Sequence, residues 1–193
     1  MKKICLAITG ASGVAYGIYT LNLLLHYKTE VHLIVSEAAK VVMEHELDDF
    51  SADYFAVKFA SFIEQKQLFC YADQDIAAVL ASGSFQHDGM AVVPCSMDTL
   101  AEVAHGLSGT LITRAASVTL KERRPLIVVP RETPLSTIQI QNLLALSQSG
   151  AVILPAMPGF YAHPQTLEDL ISFIVGKILD AMHIEHDMPV RYK

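Results

Sequence analysis

The sequence has few charged side chains, few cysteines and no long uninterrupted apolar run. Only 18% of its 193 residues are charged, and the formal net charge is −6. No excess of positive charge therefore favours nucleic acid or an anionic membrane surface as a partner. No apolar run approaches the roughly 18 residues of a membrane-spanning helix, so we expect no membrane contact and a cytoplasmic location. The three cysteines form no CxxC pair, which argues against a disulfide framework or a structural zinc site.

Apolar residues, by contrast, make up 52% of the chain. In a chain of this length, such a balance favours a homo-oligomer with surface buried between subunits over a monomer with a large core. The length fits one domain spanning residues 1–193. We expect the polar tail at 183–193 to dock on a neighbouring subunit.

Apolar, β-branched runs alternate with helical patterns along most of the chain, which predicts an α/β fold with a parallel sheet covered on both faces. The predicted strands are at 4–8, 31–35, 90–93, 126–129 and 151–154. The clearest helical patterns are at 14–27, 38–46 and 167–182. In the less regular region at 48–88 we predict a short strand within 53–60 and a short helix within 73–80.

Ligands of open α/β sheets bind beyond the carboxyl ends of the strands, and the first such segment is 9–13 (TGASG). Its glycines stand at 10, 13 and 17, a spacing that does not match the GxGxxG fingerprint of dinucleotide-binding proteins. Two interpretations remain open: a loop whose N–H groups face an anion at a helix N-terminus, or an ordinary turn from strand to helix.

The segment 94–99 (PCSMDT) follows a later strand and opens a helix. Ser96 suits an N-cap, and its hydroxyl suits a ligand in the same crevice equally well. For Cys95 we favour a small buried residue over a nucleophile, because no histidine stands in an obvious partnering position.

Basic residues cluster in the second half of this acidic chain. Arg114 and Lys121 are seven residues apart and share one helix face, and this basic face leads toward Arg131 at a strand end, which predicts a phosphate clamp. Glu132 beside it is either a general acid or the ion partner of Arg131. We expect Arg123 and Arg124 to be solvated charges.

Two further patterns have structural interpretations. The sequence 136–139 fits a capping box that opens the next helix. His183 and His186 lack the third ligand that a metal site needs, so we expect them in a solvated tail.

Several short motifs occur together over nearly the whole chain, from about residue 8 to residue 180. They are 10–13 (GASG), 35–36 (VS), 82–85 (SGSF), 88–90 (DGM), 94–97 (PCSM), 114–116 (RAA), 120–126 (LKERRPL), 130–136 (PRETPLS) and 158–161 (PGFY). PCSM, LKERRPL and PRETPLS in this order are highly specific. The chain therefore resembles the UbiX-type flavin prenyltransferases.

This resemblance implies a flavodoxin-like or Rossmann-like three-layer sandwich with a mostly parallel sheet, assembled as a homo-oligomer, typically a dodecamer, that binds FMN between subunits. Family members join a dimethylallyl group from dimethylallyl phosphate to N5 and C6 of reduced FMN without a metal. Their product, prenylated FMN, serves UbiD-type decarboxylases.

The matching motifs imply which residues contact FMN, and they place Ser12 close to N5 of the flavin. These contacts are Gly10, Ala11, Ser12, Ser36, Ser96, Met97, Asp98, Thr99 and Arg131. It places around dimethylallyl phosphate the residues Arg114, Lys121, Glu132, Tyr161 and Lys177, some of them from neighbouring subunits. It also implies catalytic roles for Glu132, Ser12, Glu46 and Lys121. Phe85 and Tyr161 are candidate walls of an apolar pocket for the prenyl group.

Three positions depart from the family pattern. Gln139 and Gln141 stand where members often carry His and Glu, and Lys177 stands where some members have Arg. Two other functions remain open on sequence grounds. One is a non-catalytic FMN-binding partner subunit of an aromatic-acid decarboxylase, and the other is an enzyme like the flavin-dependent cysteine decarboxylases.

Overall fold

The described residues, 1–161 and 163–188 of a computed structural model, contain a six-stranded parallel sheet in the order β3-β2-β1-β4-β5-β6. The strands are β1 (Lys3–Ile8), β2 (Glu30–Val35), β3 (Leu68–Ala72), β4 (Gly89–Cys95), β5 (Leu126–Pro130) and β6 (Val152–Ile153). The helices are α1 (Val14–His26), α2 (Glu37–Glu46), α3 (Tyr54–Lys58), α4 (Ala60–Glu64), α5 (Met97–Ala104), α6 (Leu111–Lys121), α7 (Thr137–Gln148) and α8 (Leu167–Ala181). No described helix is long and apolar enough to cross a membrane.

The sheet is buried on both faces, which explains why its strands are continuous apolar runs rather than alternating ones. Ile4, Leu6 and Ile8 of β1 contribute to a core that includes α1, α2 and α8. Cys5 and Ala7 of the same strand contribute to a second core that includes α5, α6 and α7. The three-layer α/β sandwich expected for the chain is confirmed. We call the two sides of the sheet the α1/α8 face and the α6 face.

Each strand points the same way, so the sheet has a carboxyl edge, where strands end, and an amino edge, where they begin. The strand order reverses between β1 and β4, which places a crevice for ligands at the carboxyl edge there. Helix α6 precedes β5, and its last residue, Lys121, therefore lies toward the amino edge. The C-terminal end of α8 lies there too, because the Nζ of Lys2 donates to the carbonyl of Met182 at 2.9 Å.

The predicted strands and the three clear helices are confirmed within a few residues, whereas the predictions for the region between α2 and β4 are wrong. The predicted strand within 53–60 is helical, because its aromatic residues pack on the core at helical spacing, as with Phe55 and Phe59, whose ring centroids lie 6.2 Å apart. The predicted helix within 73–80 consists of turns and a single 3-10 turn at Val79–Ala81. The edge strand β3 was not predicted.

The tail is described as far as residue 188, and residues 189–193 lie outside the described residues. The expectation of a solvated tail is wrong for His186, whose side chain is 1% exposed and lies 3.2 Å from the carboxylate of Asp180. The hydroxyl of Tyr27 donates to Asp187 at 2.6 Å. This part of the tail therefore packs on its own chain.

Thr9 joins the ends of the two strands that border the crevice. Its buried hydroxyl donates to the carbonyl of Pro94 at 2.8 Å and accepts from the N–H of Ser96 at 2.7 Å. The hydroxyl thus supplies the acceptor for the N–H of Ser96, and it adds a second donor to the carbonyl of Pro94, which also accepts from the N–H of Thr9 at 3.2 Å.

We expect Thr9→Val to lower the free energy of unfolding by about 1–3 kcal/mol, since it keeps the side-chain shape but leaves the N–H of Ser96 unpaired. Thr9→Ser keeps the hydroxyl and should cost much less. Urea unfolding at a fixed protein concentration measures both variants. Equal stability of Thr9→Val and the unaltered protein would contradict this role.

Candidate functional site

Three predicted site residues meet at the peptide bond between Ser12 and Gly13. The Nε of Arg131 donates to the carbonyl oxygen of Ser12 at 3.0 Å. The N–H of Gly13 donates to the carboxylate of Glu46 at 2.9 Å, and the N–H of Val14 donates to the same oxygen at 3.1 Å. A cation and an anion thus hold the two ends of one peptide dipole, and Glu46 caps the first turn of α1.

The glycines of this loop are explained by turning and by close packing. Gly13 has φ +94, in the left-handed region where a side chain is strained. A Cβ on Gly10 would lie 2.5 Å from the Cβ of Ala38, and one on Gly17 would collide with the carbonyl of Val93. The loop is therefore a tight turn on which α2 packs closely at Gly10, and Gly17, one turn into α1, lets that helix approach β4.

The N-termini of α1, α2 and α5 lie at the carboxyl edge, close to the crevice between β1 and β4. The hydroxyl of Ser36 accepts from the N–H of Ala39 at 3.1 Å. The hydroxyl of Ser96 accepts from the N–H of Thr99 at 3.3 Å and donates to the hydroxyl of Thr99 at 3.0 Å. The predicted capping by Ser96 is confirmed.

The first turn of α5 also fits an anion. The N–H groups of buried Met97 and exposed Asp98 belong to the first turn of the helix, where no intrahelical acceptor exists. Such a turn carries partial positive charge and binds phosphate groups readily. Together with Arg131, the carboxyl edge is suited to a ligand with a phosphate.

Cys95 sits beside this edge but is not available as a nucleophile. It is 1% exposed, and burial raises the pKa of its thiol far above the usual range. The thiolate needed for attack is therefore disfavoured. The interpretation of Cys95 as a small buried residue is confirmed.

A second cationic site lies on the α6 face. Arg114 and Lys121 line one cavity of about 350 Å³ with Ser82, Gly83 and Ser117, so their predicted position on one helix face is confirmed. The Nζ of Lys121 lies 2.7 Å from the carboxylate of Glu122. The hydrogen bond from Lys121 lowers the pKa of Glu122.

This cavity does not lie beside Arg131, and the predicted continuous basic face is wrong for a single chain. Lys121 ends α6 toward the amino edge, whereas Arg131 follows β5 at the carboxyl edge. The five residues of β5 separate the two edges by about 16 Å, at roughly 3.3 Å per residue.

Tyr161 and Lys177 lie on the α1/α8 face, with the sheet between them and the cavity. The ring of Tyr161 packs edge-on against Phe173, with centroids 5.7 Å apart. Phe173 and Lys177 are four residues apart on α8 and share a helix face. The Nζ of Lys177 lies 3.9 Å from the carboxylate of Asp180.

Glu132 lies at the carboxyl edge next to Arg131. Its carboxylate accepts from the N–H of Thr133 at 2.9 Å, and within the described part of the chain it forms no ion pair with Arg131. Phe85 packs edge-on against the buried His32, with ring centroids 4.8 Å apart.

The sequence interpretation missed the structural role of the 82–85 turn and of Arg124. The two terminal nitrogens of Arg124 donate to the carbonyls of Phe85 at 2.7 Å and Gly83 at 2.9 Å. The prediction that Arg124 is a solvated charge is therefore wrong. Both segments belong to motifs of the family resemblance, SGSF at 82–85 and LKERRPL at 120–126, but the sequence does not indicate that the two motifs are in contact.

Comparison with known proteins gives consistent relatives. Residues 1–179 match the protein family described as Flavoprotein. The chain is 46% identical over 192 residues to Flavin prenyltransferase UbiX of Alkalihalophilus pseudofirmus, which covers 99% of this chain and 96% of that protein.

Two solved structures are similar over nearly their full length. One is a dodecameric FMN-dependent UbiX-like decarboxylase from Escherichia coli O157:H7, with a TM-score of 0.90, 41% identity and 99% of each chain covered. The other is AnUbiX (PadA1) in complex with FMN and dimethylallyl pyrophosphate, with a TM-score of 0.87, 40% identity, and 95% of this chain and 93% of that chain covered.

We expect Glu46→Ala to lower the free energy of unfolding by about 1 kcal/mol, because the first turn of α1 loses its acceptor. Glu46→Gln keeps an acceptor oxygen and should cost less. The control is Glu44→Ala, which removes an exposed carboxylate from α2, the helix that also carries Glu46. Urea unfolding measures all three, and an equal loss in Glu44→Ala would contradict the capping role.

Proposed function

This chain belongs to the UbiX-type flavin prenyltransferases, and we propose that it joins the dimethylallyl group of dimethylallyl phosphate to N5 and C6 of reduced FMN. The observation that carries the proposal is that one chain contains two separate sites, each with positively charged groups suited to bind an anion. One is the carboxyl edge with Arg131 and the first turn of α5, and the other is the cavity of Arg114 and Lys121. FMN alone has one phosphate, so the second site calls for a second phosphorylated substrate.

We assign FMN to the carboxyl edge. Its proposed contacts are Gly10, Ala11, Ser12, Ser36, Ser96, Met97, Asp98, Thr99 and Arg131. When bound, reduced FMN supplies the nitrogen and carbon that receive the prenyl group. Arg131 and Glu46 hold the Ser12–Gly13 peptide in place, which would fix the position of the Ser12 side chain against the flavin.

We assign the phosphate of the donor to Arg114 and Lys121, supplemented by Tyr161 and Lys177 from a neighbouring copy of the chain. Breaking an allylic carbon–oxygen bond leaves negative charge on the departing phosphate. Fixed cations at that oxygen stabilise the transition state more than the intact substrate, and so they accelerate the step. Lys177 supplies charge without the planar fork of an arginine.

Glu132 is the proposed proton carrier. It lies at the carboxyl edge beside Arg131 and forms no ion pair with a described residue. One carboxylate oxygen accepts from the N–H of Thr133, which leaves the other oxygen available to a ligand there. It could protonate the departing phosphate or accept the proton released from C6 during ring closure.

The separation of the two anion sites within one chain supports an active site built from several copies. The α7 surface carries exposed Ile138, Ile140 and Leu144, which is typical of a surface buried between subunits. We propose a homo-oligomer, as in the dodecameric relative, in which the cavity of one copy faces the carboxyl edge of another.

We further propose that the product, prenylated FMN, is delivered to a UbiD-type decarboxylase, as family membership implies. The three cysteines are unpaired and two of them are buried. This usage is typical of proteins in reducing compartments, and we propose a cytoplasmic location.

The direct test is an anaerobic incubation with reduced FMN and dimethylallyl phosphate. We expect flavin to be consumed and inorganic phosphate to be released in equal amounts, because each transfer uses one of each. Mass spectrometry of the flavin and a phosphate assay measure the two. If FMN binds normally and neither change occurs, the proposal is wrong and a non-catalytic FMN-binding subunit is the better description.

We expect Glu132→Gln to lower kcat by about a hundredfold or more, the usual contribution of a positioned proton carrier. FMN affinity should stay nearly unchanged, because Arg131 and the first turn of α5 remain. Turnover and FMN titration give the two quantities. A large loss of FMN binding would instead assign Glu132 to the architecture of the carboxyl edge.

A further inference from the structure

Arg124 is tied by two charge-assisted hydrogen bonds to the 82–85 turn. Its two terminal nitrogens donate to the carbonyls of Phe85 and Gly83 at 2.7 and 2.9 Å, and the side chain is partly buried. Bonds from a guanidinium to carbonyl oxygens are stronger than neutral ones, and a planar fork that holds two of them restricts the orientation of the turn. The turn is thereby fastened to the segment that follows α6.

The fastened turn forms one wall of the cavity that we assign to the donor phosphate. Ser82 and Gly83 line it opposite Arg114 and Lys121. A Cβ on Gly83 would lie 3.2 Å from the Nζ of Lys121 and would collide with the carboxylate of Glu122. Gly83 therefore packs directly against the ion pair that contains the cavity lysine, and a shift of the turn changes the space available to that lysine.

The chain path explains why Arg124, and not its neighbour, reaches the turn. Helix α6 ends at Lys121, and Arg123 adopts φ +58, in the left-handed region that reverses the chain. The N–H of Arg124 then donates to the carbonyl of Thr119 at 3.0 Å. The side chain of Arg123 is exposed and makes no hydrogen bond or ion pair with the described residues. The two adjacent arginines therefore suit a matched mutational comparison, because only the side chain of Arg124 binds the turn.

We propose that Arg124 is a positioning residue of the donor-phosphate site. It fixes the 82–85 turn and, through Gly83, the place of the Lys121 ammonium group. Arg124 itself need not touch the substrate. The identity of the phosphate as that of the prenyl donor rests on the proposed function. The claim that phosphate binding in this cavity requires the turn held by Arg124 can be tested without it.

The test compares Arg124→Gln with Arg123→Gln, which removes the same charge one residue away. FMN-loaded protein is used so that the carboxyl edge is occupied, and inorganic phosphate is titrated by calorimetry. Lys121→Ala should abolish this binding, which assigns the titrated site to the cavity. We expect Arg124→Gln to weaken phosphate binding about tenfold or more, since a small displacement of a positioned group has effects of this order or larger.

The controls separate positioning from general damage. Arg123→Gln should bind phosphate as the unaltered protein does, and FMN affinity should be the same in both variants. Arg124→Lys, which can satisfy only one of the two carbonyls, should lie between. In turnover assays, Arg124→Gln should raise the KM for dimethylallyl phosphate. If Arg124→Gln does not fold, the comparison is made between Arg124→Lys and Arg123→Lys.

Unchanged phosphate affinity in the Arg124 variants would overturn the inference, and so would equal losses in the Arg123 and Arg124 variants. Absence of any phosphate binding by the FMN-loaded unaltered protein would also overturn it, because the cavity would then not be an anion site. Failure of the proposed function looks different: phosphate binding would depend on Arg124 as expected, yet no prenyl transfer would occur.

Discussion

In a parallel sheet the connecting helices run antiparallel to the strands, and this direction determines which side chains of one chain can meet. A loop that follows a strand lies at the carboxyl edge, while the last turn of a helix that precedes a strand lies at the amino edge. Arg131 belongs to the first class and Lys121 to the second, and β5 stands between them. The sheet itself separates α6 from α8 and therefore Lys121 from Lys177. No side-chain motion within one chain removes a barrier of this kind.

The two proposed half-sites, the carboxyl edge and the cavity on the α6 face, are each well organised despite their separation. At the carboxyl edge, the Ser12–Gly13 peptide is held between Arg131 and Glu46, and Thr9 joins β1 to β4. On the α6 face, Arg124 fastens the turn that packs against the ion pair of Lys121. Organised but incomplete half-sites are what a catalyst assembled from copies of one chain requires. The low proportion of charged residues agrees with such an assembly, because charged residues are depleted at the core of interfaces.

Much of this arrangement could be predicted from the sequence because it depends on local patterns. Continuous apolar strands, serine N-caps and the seven-residue spacing of Arg114 and Lys121 are read from neighbouring residues. The aromatic segment at 53–60 could not be read in this way, since packing on the core overrides the strand preference of its side chains. The contacts of Arg124 with Gly83, and of Glu46 with Gly13, join residues 41 and 33 positions apart. Residue type and spacing carry no information about such contacts, and the separation of Lys121 from Arg131 depends on the direction of α6.

The central claim is that each active site takes Lys121 from one copy and Glu132 from another, and subunit mixing tests it most directly. Lys121→Ala and Glu132→Gln chains, each nearly inactive alone, are unfolded together in equal amounts and reassembled. Half of the positions that supply Lys121 and half of those that supply Glu132 would carry the native residue. About a quarter of the sites would then be intact if assembly is random, and prenyl transfer should return to about a quarter of the unaltered rate. If both residues came from the same copy, every site would lack one of them. Activity that stays at the level of the separate variants would therefore contradict the account.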